Sequence, residues 1–146
     1  MTYFPPSQVD RRLECAVCSW GGSPLVGFAF DVTLINHTWS VAPSISGSEI
    51  TLPAGHYSAS AWVAITRTST SQNVRFRFTL DGANIGLLGQ SDMYLNTHCD
   101  AADAEFSVDE GTTAVLRITN EAVETSLPTV TANSRLVIWR TDRGTL

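Results

Sequence analysis

Residues 74–82, Val-Arg-Phe-Arg-Phe-Thr-Leu-Asp-Gly, decide the fold class of this chain. Apolar side chains occupy every second position from Val74 to Leu80, and polar side chains lie between them. A period of two places one face of a β-strand on a core and the other face towards solvent. The pair Asp81-Gly82 that follows is typical of a tight hairpin turn. The stretch therefore predicts an antiparallel strand that ends in a turn.

The same alternation recurs along most of the chain. The predicted core-facing sets are Phe28, Phe30, Val32 and Leu34; Tyr57, Ala59, Ala61, Val63 and Ile65; Ala104, Phe106 and Val108; Ala114, Leu116 and Ile118; and Leu136 and Ile138. No stretch keeps the helical spacing of apolar residues for long enough to indicate a helix. Seven or eight strands separated by turn residues predict an all-β protein, an antiparallel β-sandwich or jelly roll.

Two regions lack this alternation. Residues 1–23 contain prolines and a Gly-Gly-Ser run, so we expect a short N-terminal arm before a jelly-roll domain over residues 24–146. Within the arm, residues 11–18 could form a turn or two of helix or a short strand. The apolar residues of the arm are expected to become ordered on the surface of a particle; they are Tyr3, Phe4, Val9 and Leu13.

Residues 83–103 predict a long loop, and a loop of this length in a compact domain usually has a function. Contacts with a ligand would come from Tyr94, Asn96 and His98. The alternative is a short strand that packs Leu87, Leu88 and Tyr94.

The charge of the chain argues against two classes of partner. Only 16% of the residues are charged, the net charge is −5, and all nine basic residues are arginine without a basic cluster. Binding to nucleic acid or to an anionic membrane needs a local excess of positive charge. We therefore expect neither a nucleic-acid partner nor a membrane partner. The N-terminus shows no signal-peptide pattern, so synthesis and assembly are expected in a cytoplasm.

The sequence offers one spacing that is typical of a metal site. Cys15 and Cys18 are three positions apart, and His98 with Cys99 could complete a Cys3His set for zinc. A second closely spaced pair of ligands is missing, so the cysteines are expected to be small buried side chains, and no cofactor is expected. A small zinc-containing jelly-roll protein remains an alternative. No nucleophile motif accompanies any histidine, which favours a protein that is not an enzyme.

Four segments, in this order, resemble the globular heads of the tumour-necrosis-factor and complement-q superfamily: residues 50–57, 74–86, 109–119 and 134–139. The first contains the Gly-x-Tyr entry to a long strand, and the others match the following strands and turns of that family. The resemblance covers about residues 25–140 and implies a jelly roll that assembles as a trimer. A bare jelly roll with a short arm is most similar to modules that bacterial viruses place on their particles.

This resemblance implies a non-enzymatic structural protein of the virion, assembled in the host cytoplasm. Its expected role is to decorate the capsid head, as a decoration protein or a spike, with itself and the major capsid protein or another virion protein as partners. Aromatic residues are enriched in interface cores, so Tyr57, Trp62 and Trp139 are the expected trimer contacts. The alternative for these three residues is the core of a single chain. The alternative function is a receptor-binding or glycan-binding knob of a tail or fibre, with a host-surface glycan as its partner.

Overall fold

The computed structural model describes residues 14–66, 74–91, 99–121, 129–131 and 133–141. Within these ranges the backbone forms eleven strands and no helix. The strands are β1 Glu14–Gly21, β2 Asp31–His37, β3 Ser44–Ser46, β4 Glu49–Trp62, β5 Ile65–Thr66, β6 Arg75–Leu80, β7 Ala83–Ser91, β8 Cys99–Asp100, β9 Ala102–Asn120, β10 Thr129–Val130 and β11 Arg135–Arg140.

Two long strands, β4 and β9, take part in both layers of a sandwich. They pair antiparallel along their length, with a bulge between Pro53 and Gly55. The second half of β4 and the first half of β9 lie in a layer with β2, β1 and β11, which we call sheet I. The first half of β4 and the second half of β9 lie with β3, β6, β7 and β8 in sheet II. The all-β antiparallel sandwich predicted from the sequence is therefore confirmed.

Buried side chains from both layers form one core. Its aromatic centre is Trp20, whose ring centroid lies 4.9 Å from that of Phe30 and 5.0 Å from that of Phe76. Val74, Phe76 and Phe78 are buried, as the alternation from 74 to 80 predicts. Burial of a large apolar side chain stabilises the fold by about 1.5–3 kcal/mol, so this alternation supplies much of the energy that holds the layers together.

The predicted arm extends too far into the chain. Residues 14–21 form β1, a strand inside sheet I that pairs with β11 on one side and β2 on the other. The inward side chains of β1 are Ala16, Cys18 and Trp20, and all three are buried. The alternation is hidden in the sequence because two of these three side chains are small. The arm residues Tyr3, Phe4, Val9 and Leu13 lie outside the described residues.

In the first part of residues 83–103 the structure forms a strand, the alternative to the predicted loop. Residues 83–91 form β7, which pairs with β6 across the predicted turn at Asp81-Gly82. Asp81 has a φ of 50° and Gly82 a φ of 87°, the left-handed values that a two-residue hairpin turn requires. Gly86 and Gly89 interrupt the alternation of β7, and both approach the backbone of β9 closely.

Two smaller expectations need correction. Residues 104–108 and 114–118 belong to one strand, β9, rather than two. Phe28 does not face the core: it is 63% exposed, because β2 begins only at Asp31.

Candidate subunit interface

The outward side chains of four strands of sheet I, β1, β11, β4 and β9, form three rows. In the first row the strand partners are Cys15, Trp139, Ser58 and Glu105; in the second, Val17, Val137, Ser60 and Asp103; and in the third, Ser19, Arg135 and Trp62. We call this set of side chains the outer face of sheet I. The strand pairing fixes which side chains are neighbours, and this surface could not be assembled from the sequence without the register.

Charge is sparse in the middle of this face. Arg135 on β11 is its cation, and its carboxylates, Asp103 and Glu105, lie together on β9. Serine, valine, cysteine and tryptophan fill the other positions. Protein interfaces are depleted of charged residues in their core and enriched in aromatic ones, so the composition of this face fits contact with another protein.

Two of the three predicted interface aromatics lie on this face. Trp139 is half-buried in the first row, and Trp62 is 41% exposed in the third. The row that contains Val137 and Ser60 lies between them. The two rings therefore flank a nearly uncharged strip.

Tyr57, the third predicted contact, is part of the core of the single chain. It is only 2% exposed, and its ring stacks on Phe106 with centroids 5.4 Å apart. Its hydroxyl donates a hydrogen bond of 2.6 Å to the carbonyl oxygen of Pro53. Tyr57 points inward because it alternates with Ser58, which belongs to the outer face. It has almost no surface to offer a neighbouring subunit.

A polar cleft of about 300 Å³ lies at the β9 side of the first row. His56 and Ser107 are direct strand partners, and the His56 Nδ1 and Ser107 Oγ atoms are 2.6 Å apart. Glu105 and Thr141 also line the cleft. This pair was missed from the sequence because residues 51 positions apart become neighbours only through the register of β4 and β9.

The two cysteines of the metal-like spacing lie on opposite faces of β1. Cys15 is on the outer face, whereas Cys18 is buried in the core. Burial, with a smaller contribution from Cys15, raises the pKa of the Cys18 thiol to about 12. Burial also raises the pKa of Cys15. Opposite orientation prevents the pair from sharing one tetrahedral ion, so the zinc alternative loses these two ligands.

The remaining predicted contacts are outside the structure. Tyr94, Asn96 and His98 do not belong to the described residues, nor does the side chain of Cys99. Among the residues that the structure describes, no three His, Cys, Asp or Glu side chains converge as metal ligands would. The same part of the chain contains no helix long and apolar enough to cross a membrane.

Comparisons with known proteins identify a fold. No protein-family model matches the chain, and no curated protein matches its sequence. Among solved structures, the crystal structure of murine APRIL at pH 8.0 superposes with a TM-score of 0.60 and 8% sequence identity. The match covers 88% of this chain and 99% of the APRIL chain. The fold of this chain is therefore the tumour-necrosis-factor-like jelly roll that the sequence predicts.

Proposed function

We propose that this chain is a non-enzymatic structural protein of a phage particle, which assembles as a homotrimer and decorates the capsid head. The observation that carries the proposal is the outer face of sheet I, where serine, valine and tryptophan take positions that a solitary domain usually gives to charges. A second copy of the chain is the natural occupant of such a face, because most soluble oligomers are symmetric assemblies of one chain.

The charges at the border of this face support a cyclic assembly. Contacts in a closed ring of three are head-to-tail, so different patches of two copies meet. Asp103 and Glu105 form an acidic edge on β9, and Arg135 lies two strands away on β11. The acidic edge of one copy then faces Arg135 of the next, which fixes orientation more than it adds affinity.

A trimeric jelly roll suits a decorating role. Antiparallel sheets provide a stiff scaffold, and a three-fold assembly matches the three-fold positions of an icosahedral shell. The major capsid protein is then the partner, and the N-terminal segment with Tyr3 and Phe4 is the part that contacts it. The finished protein belongs to the virion.

The test is to mix the purified protein with undecorated phage heads and to image the product. We expect saturable occupancy at three-fold-related positions. A variant with Ser60→Glu in the outer face of sheet I should not occupy these positions, whereas Thr113→Glu on sheet II should. Absence of saturable binding by the unaltered protein overturns the decorating role, whatever its oligomeric state.

A further inference from the structure

An open cavity of about 460 Å³ lies on the outside of sheet II, away from the outer face of sheet I. Its floor is made of small side chains: Ala29, which bridges to Thr119, and Thr79 on the adjacent β6. Thr79 and Thr119 alternate with core residues and therefore face outward from sheet II, yet both are buried. The volume is within the range of about 300–1,000 Å³ that small-molecule sites occupy.

One wall of the cavity is an exposed aromatic ring. Phe28 is 63% exposed and lines the cavity. Its backbone is held in place, because the Phe28 carbonyl oxygen accepts a hydrogen bond of 2.9 Å from the Asn120 N–H and the Gly27 N–H donates one of 2.8 Å to the Asn120 carbonyl oxygen. An exposed ring on a fixed backbone is a stacking surface for a ligand that has an apolar face.

The other walls carry planar polar groups. Asn84 lines the end near the β6–β7 turn, and Arg117 and Glu121 line the side formed by β9 and the residue that follows it. Arg117 is already paired, since its Nη2 atom lies 3.0 Å from Glu49 Oε1. With one guanidinium and two carboxylates, the surroundings of the cavity disfavour an anion. Amide, guanidinium and carboxylate groups are well suited to hydroxyl groups, which both donate and accept hydrogen bonds.

We propose that this cavity binds a neutral pyranose sugar. The C–H face of the sugar ring stacks on Phe28, and its hydroxyl groups bond to Asn84, Glu121 and the Arg117–Glu49 pair. The site lies on the sheet that a trimer built through sheet I leaves open, so each trimer would present three copies of it. The inference does not depend on the proposed role on a phage head, because a single isolated chain contains the whole cavity.

The test uses saturation-transfer NMR on the purified protein with four probes: glucose, galactose, mannose and N-acetylglucosamine. We expect at least one of them to bind with a Kd on the order of 1 mM, typical of a small ligand with few buried atoms. Phe28→Ala should weaken that binding at least about tenfold, and Asn84→Ala should weaken it by a smaller factor. Leu25→Ala is the matched control, since Leu25 lies on the same segment, is 75% exposed and does not line the cavity.

Three results would overturn the inference: no binding of any of the four sugars, equal binding by Phe28→Ala, or displacement of the bound sugar by inorganic phosphate. Phe28→Leu keeps the apolar bulk without the aromatic ring, and it replaces Phe28→Ala if the alanine variant unfolds. Because the readout is sugar binding by dissolved protein, its failure leaves the binding to phage heads as an independent question.

Discussion

At the scale of single residues, the position of Tyr57 is compatible with two interpretations from sequence, a subunit interface and the core of one chain. Its aromatic ring fits an interface, but alternation along β4 directs it into the core, where it stacks on Phe106. Its hydroxyl reaches the carbonyl oxygen of Pro53 at the bulge, so the side chain stabilises the place where β4 passes from one sheet to the other.

The variant Tyr57→Phe should lower the free energy of unfolding by about 0.5–1.5 kcal/mol, because it removes the hydrogen bond to Pro53 and keeps the ring. Urea unfolding followed by circular dichroism measures the change, and light scattering measures the oligomer mass, which should not change. A loss of oligomer mass without a loss of stability would return Tyr57 to the interface.

Ionisation of the Cys18 thiol should lower the free energy of unfolding as the pH rises into the alkaline range. Its pKa in the folded chain is about 12, above the ordinary value of 9.0, so the unfolded chain ionises first as the pH rises. The stability that the folded chain gains by keeping the Cys18 thiol neutral is fully present below about pH 9, and it is lost as the pH approaches 12. Between these limits the unaltered chain should lose more stability per pH unit than Cys18→Ala. Urea unfolding of both proteins over this range measures the two slopes, and equal slopes would contradict the raised pKa.

At the scale of strands, the glycines of β7 account for its close approach to β9. Gly86 has a φ of 69°, and a Cβ at this position would collide with the carbonyl oxygen of Asp103. Gly47 also has a left-handed φ, of 60°, but a Cβ there would meet nothing within 4 Å. At both positions a residue other than glycine would strain the backbone, but only at position 86 would its side chain also collide with a neighbour.

Gly86→Ala should therefore destabilise the fold by about 2–4 kcal/mol, and Gly47→Ala by only about 1 kcal/mol. Thermal unfolding of the two variants beside the unaltered chain gives the comparison. Equal losses would mean that β7 can move away from β9 without cost.

A substitution in the outer face of sheet I tests whether this face forms the subunit contact. Ser60 lies in its central row, and Thr113 is an exposed strand position on sheet II. A glutamate at position 60 would be desolvated in an interface, so Ser60→Glu should release monomers, whereas Thr113→Glu should not. Light scattering after size exclusion reports the masses. An unchanged mass for Ser60→Glu would place the subunit contact elsewhere.

The success of prediction from sequence differs between strands for physical reasons. β6 could be recognised because large apolar residues alternate with polar ones, as in Phe76 and Phe78, and β11 because an unbroken run of large apolar residues lies between Arg135 and Arg140. β1 could not be told from an arm because its inward positions include Ala16 and Cys18, and β7 could not be told from a loop because Gly86 and Gly89 leave no side chain to alternate. The sequence contains Trp62 and Trp139, but their common face exists only through the register of β4 and β11.

At the scale of the whole molecule, a homotrimer makes thermal stability depend on concentration. Folded copies that bind one another are stabilised by mass action, and a monomer is not. We expect a mass near three times 15.8 kDa in light scattering and a Tm that rises with protein concentration. A mass of one chain at micromolar concentration, with a constant Tm, would refute the trimer.

The position of β11 in sheet I has a consequence for synthesis on the ribosome. β11 is the last described strand of the chain, yet it lies between β1 and β4, where Glu14 pairs with Arg140 and Ala61 with Leu136. β1, the first described strand, therefore cannot pair with the rest of sheet I until β11 has been synthesised. A nascent chain that ends before residue 135 leaves β1 and β4 with facing unpaired edges, which are templates for aggregation. Premature termination near the C-terminus should thus yield insoluble protein rather than a shortened but folded domain.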